Sequence, residues 1–446
     1  MESTEKIYSI GEGKIQRVQI VKLEDFNQLH FVFPAYQFSS FAKICALYRD
    51  FIVRKYEMFF GKVVLFTLGE EEFSLESFPS KYGELQDPLN AINLLFKDNI
   101  FVKDKEICFK NEKVRALFEK LKEEKKLFVA EGKRNGIRFV PVGRKLGYLS
   151  QSFFEQDLCV NASFFTMDPL DCGSIFDYVG IPIGLMVEKG KIMNPPQYDR
   201  EALLVKKDGS VTIEKVSLQQ IQVKIDGVLY EDHRNCFYYE RPKRKKTPLG
   251  KTDLVIVNNK VVCINPKGGT PVPCGGFVIQ TEEKISEVKD RKVSYHGLED
   301  ILFGLQVGNS AIVNGIKTEK FLSPFYKFYK PWIPSYPPSM YPLNYEKDRA
   351  PRILFGADHN NKPMFAWIEG AGKFGHEAGK EGEGASLKEA AEIAEDIGMM
   401  NAIHLDGGGS AQILRKGKRS LKLSDRDAVS YAEAERAIPV GIVADQ

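Results

Sequence analysis

Apolar and polar positions in this chain fall into short alternating runs rather than long helical stripes. Between about residues 182 and 315 the pattern repeats as run, turn, run. Residues 183–187 precede Glu188-Lys189-Gly190, residues 202–205 precede Asp208-Gly209, and residues 253–257 precede Asn258-Asn259, with further runs at 276–279 and 311–313. Short apolar runs joined by such turns are hairpin signals, so the region predicts an antiparallel sheet that serves as scaffold. A second hairpin opens at Pro351-Arg352, turns at 358–362 and returns at 364–369, which sets Arg352 and Glu369 at the same end of an antiparallel pair. Helical spacing is rarer. Ser386 and Glu389 form a capping box, Leu387, Ala390, Ala391, Ala394 and Ile397 share one face, and Gly398 supplies the stop. A lysine-rich helix is predicted over 112–125, where Val114, Leu117, Phe118 and Leu121 recur at three and four. A short helix at 148–154 leads into a strand at 157–160 that ends on Asn161.

The chain is organised around its last paired apolar runs, 402–405 and 411–414, which are too short for helices and too apolar for surface coil. Between them lie Asp406, Gly407, Gly408, Gly409 and Ser410. Three glycines remove side chains and open backbone angles, so the amides of 407–410 are able to converge on an anion next to a carboxylate. A Gly-rich hairpin whose Asp and Ser only cap the turn is the competing reading of the loop alone.

Residues 405–411 resemble the signature of the phosphodiester glycosidase family. Other pieces follow in the family's order. Residues 160–165 are similar to its Asn-Gly-Gly-Phe-Phe segment, Pro182-Ile183-Gly184 comes next, residues 352–356 resemble its Arg-Thr-Ala-x-Gly strand, and Ser424-Asp425 and Arg436 precede a closing strand at 438–443. Ala162 and Ser163 stand where the family has glycines, and Glu369 stands where it usually has Asp. The resemblance covers roughly residues 145–446. It implies that Asp406 and Glu369 are the catalytic carboxylates, and that Asn161, Arg352, Arg436 and the 407–410 loop hold a sugar and its phosphate. By their chemistry, Arg352 offers a planar fork for phosphate and Asn161 a donor and an acceptor for hydroxyls.

With 446 residues, two domains are expected: an accessory N-terminal domain at 1–143, and a catalytic domain at 144–446 of α+β class, mainly antiparallel sheet with flanking helices. Lys plus Arg number 63 against 60 for Asp plus Glu, a net charge of +3 that gives no general reason for a polyanion partner, so no nucleic acid is expected. The basic run Arg241-Pro242-Lys243-Arg244-Lys245-Lys246 reads as a solvated loop, with recruitment of a phosphorylated glycan as the alternative. Seven scattered cysteines without a Cys-x-x-Cys pair suggest reduced core thiols, and no metal or other cofactor is expected. No apolar span is long enough for a leader or a membrane helix, so the chain as written is expected in the cytoplasm, or secreted if a leader once preceded it. Residues 370–375 spell a dinucleotide fingerprint, but glycines at 379, 382 and 384 would cripple the helix it requires, so 370–385 reads as a loop over the site, with His376 a bystander rather than a contact. The aromatic, proline-rich stretch 321–345 offers Trp332 as a weak sugar contact.

The activity these expectations imply is hydrolysis of the glycosidic bond of a sugar-1-phosphodiester. The alternatives are a noncatalytic glycan-phosphate binding protein and a phosphodiesterase that cleaves at phosphorus, for which a metal would be expected.

Overall fold

The computed structural model describes residues 1–34, 146–166, 180–197, 200–241, 243–285, 291–319, 349–370, 376–426 and 432–444, together with Ser174, Phe176, Asp177 and short stretches between 84 and 139. Residues 35–83 of the expected accessory domain and the aromatic stretch with Trp332 lie outside the described residues. Of the predicted helix at 112–125, Glu112, Arg115, Ala116 and Glu119 are helical and the remainder lies outside them.

Among the described residues every strand pairing is antiparallel. A seven-stranded sheet runs, from edge to edge, through Glu2–Ser9, Ile15–Lys22, Pro363–Ile368, Arg352–Asp358, Met399–His404, Ser310–Val313 and Ile316–Lys317. A four-stranded sheet joins Ile413–Leu414, Leu158–Asn161, Gly441–Ala444 and Leu29–Val32. The predicted scaffold hairpins are present. Met186–Glu188 with Lys191–Asn194 and Arg200–Lys206 with Val211–Val216 belong to a five-stranded sheet, and Thr252–Val257 with Lys260–Asn265 belongs to another. Lys189 and Gly190, and likewise Asn258 and Asn259, take positive φ, as tight hairpin turns demand.

Alternation along the central strands builds two cores. Ile353, Phe355, Phe365 and Trp367 face one side of the seven-stranded sheet and meet Leu158, Val160, Phe31 and Ile442 of the four-stranded sheet and Leu203, Val205 and Phe303 of the scaffold. Stacked rings of Phe31 on Phe303 at 4.6 Å tie the four-stranded sheet to the scaffold, and Phe355 stacks on Phe365 at 4.6 Å across neighbouring strands of the seven-stranded sheet. Leu354, Met364, Ala366 and Ala402 face the other side, covered by the helix Leu387–Asp396 through Leu387, Ala390, Ala391, Ile393 and Ala394. That helix carries the predicted capping box, and Gly398 at φ +84° follows its end.

The fold is sheet-rich: among the described residues the α-helical positions are Leu387–Asp396, the single turn Leu149–Ser152 and the four positions between 112 and 119. Residues 1–32, the start of the expected accessory domain 1–143, pair with strands from the end of the chain. Ile15–Lys22 pairs with Pro363–Ile368, and Leu29–Val32 pairs with Gly441–Ala444, so the start of the chain is woven into the two sheets that carry the site.

Candidate active site

Asp406 follows the strand Met399–His404 directly. Leu354 lies opposite His404, and the Leu405 amide donates to the Ile353 carbonyl at 2.9 Å, which brings Asp406 alongside Arg352. The aspartate's backbone is clamped from the four-stranded sheet. Its amide donates to the Ala162 carbonyl at 3.0 Å, and its carbonyl accepts from Asn161 Nδ2 at 2.6 Å. Asn161 Oδ1 accepts from the Gln412 amide at 2.9 Å, so one buried side chain fixes both ends of the loop.

The glycines answer to packing. A Cβ on Gly407 would lie 2.8 Å from the Pro351 carbonyl oxygen, and Gly408 sits at φ +59°. A Cβ on Gly409 would lie 2.2 Å from both Arg436 Nη2 and Asp425 Oδ1. That pair rests on the loop as a two-pronged ion pair, with Arg436 Nε to Asp425 Oδ2 and Arg436 Nη2 to Asp425 Oδ1 both at 3.0 Å. Gly409→Ala should displace it. A loss of about 1–3 kcal/mol of stability is expected from overpacking, with turnover per folded molecule also reduced, as thermal melts and kinetics on one preparation would show. Wild-type stability and turnover would mean that the pair moves aside freely and contributes nothing.

Burial raises the Asp406 carboxyl from 3.8 to about 7, against the lowering influence of the Ser410 hydroxyl, the Arg436 guanidinium and the Gly407 amide, while Asp425 adds repulsion. The Ser410 hydroxyl is fully buried and favours the charged carboxylate, though it forms no hydrogen bond of ordinary geometry with a protein group. His404, two residues before Asp406, is lowered to about 3 by burial and by Arg352, and is a neutral imidazole at any ordinary pH.

The structure gathers Asp406, Gly407, Gly408, Gly409, Ser410, Asn161, Arg352 and Arg436 around this loop, but it changes what several of them do. The amides do not form an open nest: Gly408 donates to Pro351 at 2.9 Å, Ser410 to Gly407 at 3.2 Å, and Gly407 toward Asp406 itself. Asn161 spends its side chain on the loop rather than presenting it to a ligand. Arg352 is buried, with Nε donating to the Ala385 carbonyl at 3.0 Å, and its Cδ would be 3.8 Å from a Cβ on Gly407. Glu369 is buried and accepts from the Gly382 and Lys422 amides, each at 2.7 Å. Its cationic partner is Arg17 at 3.4 Å. These bonds make Glu369 a cross-link between the N-terminal hairpin and the segments at 382 and 422. His376 bridges Glu381 and Glu383 at 3.3 and 3.0 Å in the same charged cluster.

Sequence reasoning missed Arg17, whose only local signal is its place in an alternating strand, and it did not name Asp425 as a site residue although Ser424-Asp425 carried the family's order. Among the described residues, no group of three or more His, Cys, Asp or Glu is placed to hold a metal ion.

Residues 251–444 match the family profile described as phosphodiester glycosidase. No curated protein matches the chain. Among solved structures, a hypothetical protein from Synechocystis aligns at 14% identity and a TM-score of 0.43, over 98% of this chain and 61% of that one. The zebrafish N-acetylglucosamine-1-phosphodiester alpha-N-acetylglucosaminidase catalytic domain, auto-inhibited by its pro-peptide, aligns at 11% identity and 0.40, over 100% and 83%. A putative exported protein from Burkholderia pseudomallei aligns at 13% and 0.38, over 100% and 96%. The chain thus spans about three fifths of the Synechocystis protein. The family match supports a glycosidase-type hydrolase in general terms.

Proposed function

We propose that this protein hydrolyses the bond between the anomeric carbon of a sugar and a phosphodiester oxygen, releasing the free sugar and a phosphate monoester. The observation that carries the reading is the Asp406 carboxyl, brought to about 7 by burial and set on a clamped glycine loop beside the Arg436–Asp425 pair. A carboxyl titrating near neutrality is suited to acid–base or nucleophilic work at ordinary pH. A phosphate monoester is a good leaving group, so the demand for a strong general acid is small, and the second carboxylate that glycosidases ordinarily use is less needed. In its ionised form Asp406 attacks the anomeric carbon or takes a proton from the attacking water. Arg436 supplies positive charge beside the departing phosphate, and Arg352 adds charge from behind the loop. Glu369 holds the site's walls together and takes no part in proton transfer.

The test is incubation with a panel of sugar-1-phosphodiesters in ¹⁸O-labelled water. Cleavage at carbon places the label in the sugar hydroxyl and none in the phosphate monoester. Label in the phosphate would replace this reading with a phosphodiesterase, and tight binding without product would replace it with a binding protein.

A further inference from the structure

The basic run at 243–246 is not the loosely solvated loop that its composition suggests. Four backbone hydrogen bonds fasten residues 245–250 to residues 267–272: Val272 to Lys245 at 3.0 Å, Thr247 to Thr270 at 3.0 Å, Gly269 to Pro248 at 2.9 Å and Gly250 to Lys267 at 3.0 Å. Two glycines let it lie flat. A Cβ on Gly268 would meet the Pro248 oxygen at 2.4 Å, and one on Gly269 would meet Leu249 Cδ2 at 2.7 Å and Lys246 Cε at 3.5 Å. Beneath it a fully buried aspartate, Asp253, accepts from Thr247 Oγ1, from the Thr270 amide at 3.2 Å and from Gln280 Nε2 at 2.7 Å. Gln280 Nε2 also donates to the Pro248 carbonyl at 2.9 Å. Burying a carboxylate is costly, and here it anchors a loop that carries four consecutive cations.

The loop presents those cations beside aromatic rings. Lys243 pairs with Glu240 and Lys251 with Glu282, whereas the exposed side chains of Arg244, Lys245 and Lys246 meet no carboxylate among the described residues. Cys236–Glu240 is an edge strand of its sheet, and on it Phe237 and Tyr239 are two residues apart and so share a face. Phe237 is exposed, with the Lys251 ammonium 5.1 Å from its ring centre. Tyr239 lies within electrostatic reach of Arg244 and Lys251. Apolar rings suit the C–H faces of sugars and fixed cations suit phosphates, so the surface offers both kinds of contact that a chain of sugars and phosphates presents.

From the pinned basic loop and this aromatic edge strand we infer a second binding surface, which captures a phosphodiester-linked glycan chain whose end the active site cleaves. The inference rests on the hydrolase reading for its choice of polymer, but the surface is measurable apart from turnover. A chain held through about three phosphates should show a log–log salt slope near −2, so affinity falls roughly tenfold to twentyfold between about 50 and 200 mM salt.

The experiment compares a synthetic phosphodiester-linked glycan oligomer with its single-repeat unit, in the wild type and in Arg244→Glu/Lys245→Glu/Lys246→Glu. Fluorescence anisotropy on labelled oligomer and steady-state kinetics are both recorded. The wild type should bind the oligomer with that salt slope and show a KM for it roughly tenfold below that for the single repeat. The variant should lose the slope and the KM advantage while keeping its melting temperature, its kcat and its KM for the single repeat. Oligomer binding unchanged in the variant overturns the surface. RNA of equal charge bound more tightly than the glycan overturns the choice of polymer. Salt-dependent oligomer binding in a wild type that cleaves neither substrate leaves the surface standing and removes the hydrolase reading instead.

Discussion

Deleting residues 1–33 should leave a protein without a cooperative unfolding transition, and the reason lies in what those residues bury. Val18, Ile20, Val21, Leu23, Phe26, Leu29 and Phe31 all lie in the two main cores. At about 1.5–3 kcal/mol for each buried large apolar side chain, their loss amounts to on the order of 10–20 kcal/mol, which matches or exceeds the whole net stability of an ordinary domain, about 5–15 kcal/mol. The deletion also strips Pro363–Ile368 and Gly441–Ala444 of their edge partners, and leaves buried Glu369 without Arg17. A domain boundary near 143 predicts the opposite outcome, a fragment from 144 onward that folds and works. Expression of 34–446 and 144–446, followed by circular dichroism melts and turnover, separates the two, and a folded, active fragment from either would remove the N-terminal hairpin from the architecture of the site.

Local geometry was legible from residues, and distant pairing was not. Asn258-Asn259 and Lys189-Gly190 announce their turns because positive φ restricts which residues stand there. Ser386 and Glu389 announce a helix start because the cap is made within four residues. The partnership of Ile15–Lys22 with Pro363–Ile368 spans nearly the whole chain, and a strand's sequence records that it has a partner, not which one. The same limit explains the site. Gly407 and Gly408 declare conformational freedom, but where their amides point is settled by Asp406 itself and by Pro351. Glu369 and Arg352 stand at one end of their hairpin as expected, yet each turns to a partner from another segment, Arg17 in one case and the Ala385 carbonyl in the other.

Asp406→Asn should abolish turnover and at the same time stabilise the protein at alkaline pH, a combination that separates a catalytic carboxylate from a turn cap. Asparagine keeps an acceptor oxygen for the Gly407 amide and leaves the Asn161 clamp untouched, because that clamp grips the backbone. What it removes is the negative charge, so the rate should fall by at least about 10²-fold, the lower range for general base work. In the wild type, kcat/KM should rise with pH and level off above about 7, following ionisation of Asp406. Stability moves the other way. The carboxyl titrates near 7 in the fold against 3.8 when unhindered, so between those values the folded state holds a proton that the unfolded state has released. Wild-type stability therefore declines as pH rises through that window and is level beyond it. The variant has nothing to titrate there, so its melting temperature should match the wild type near pH 4 and exceed it at pH 8. A turn-capping aspartate, ionised throughout, would instead make the variant less stable by about 1 kcal/mol while sparing the rate per folded molecule. Melts at the two pH values, with turnover measured on the same samples, decide between them: a variant that is less stable at pH 8 and still active ends the catalytic assignment of Asp406.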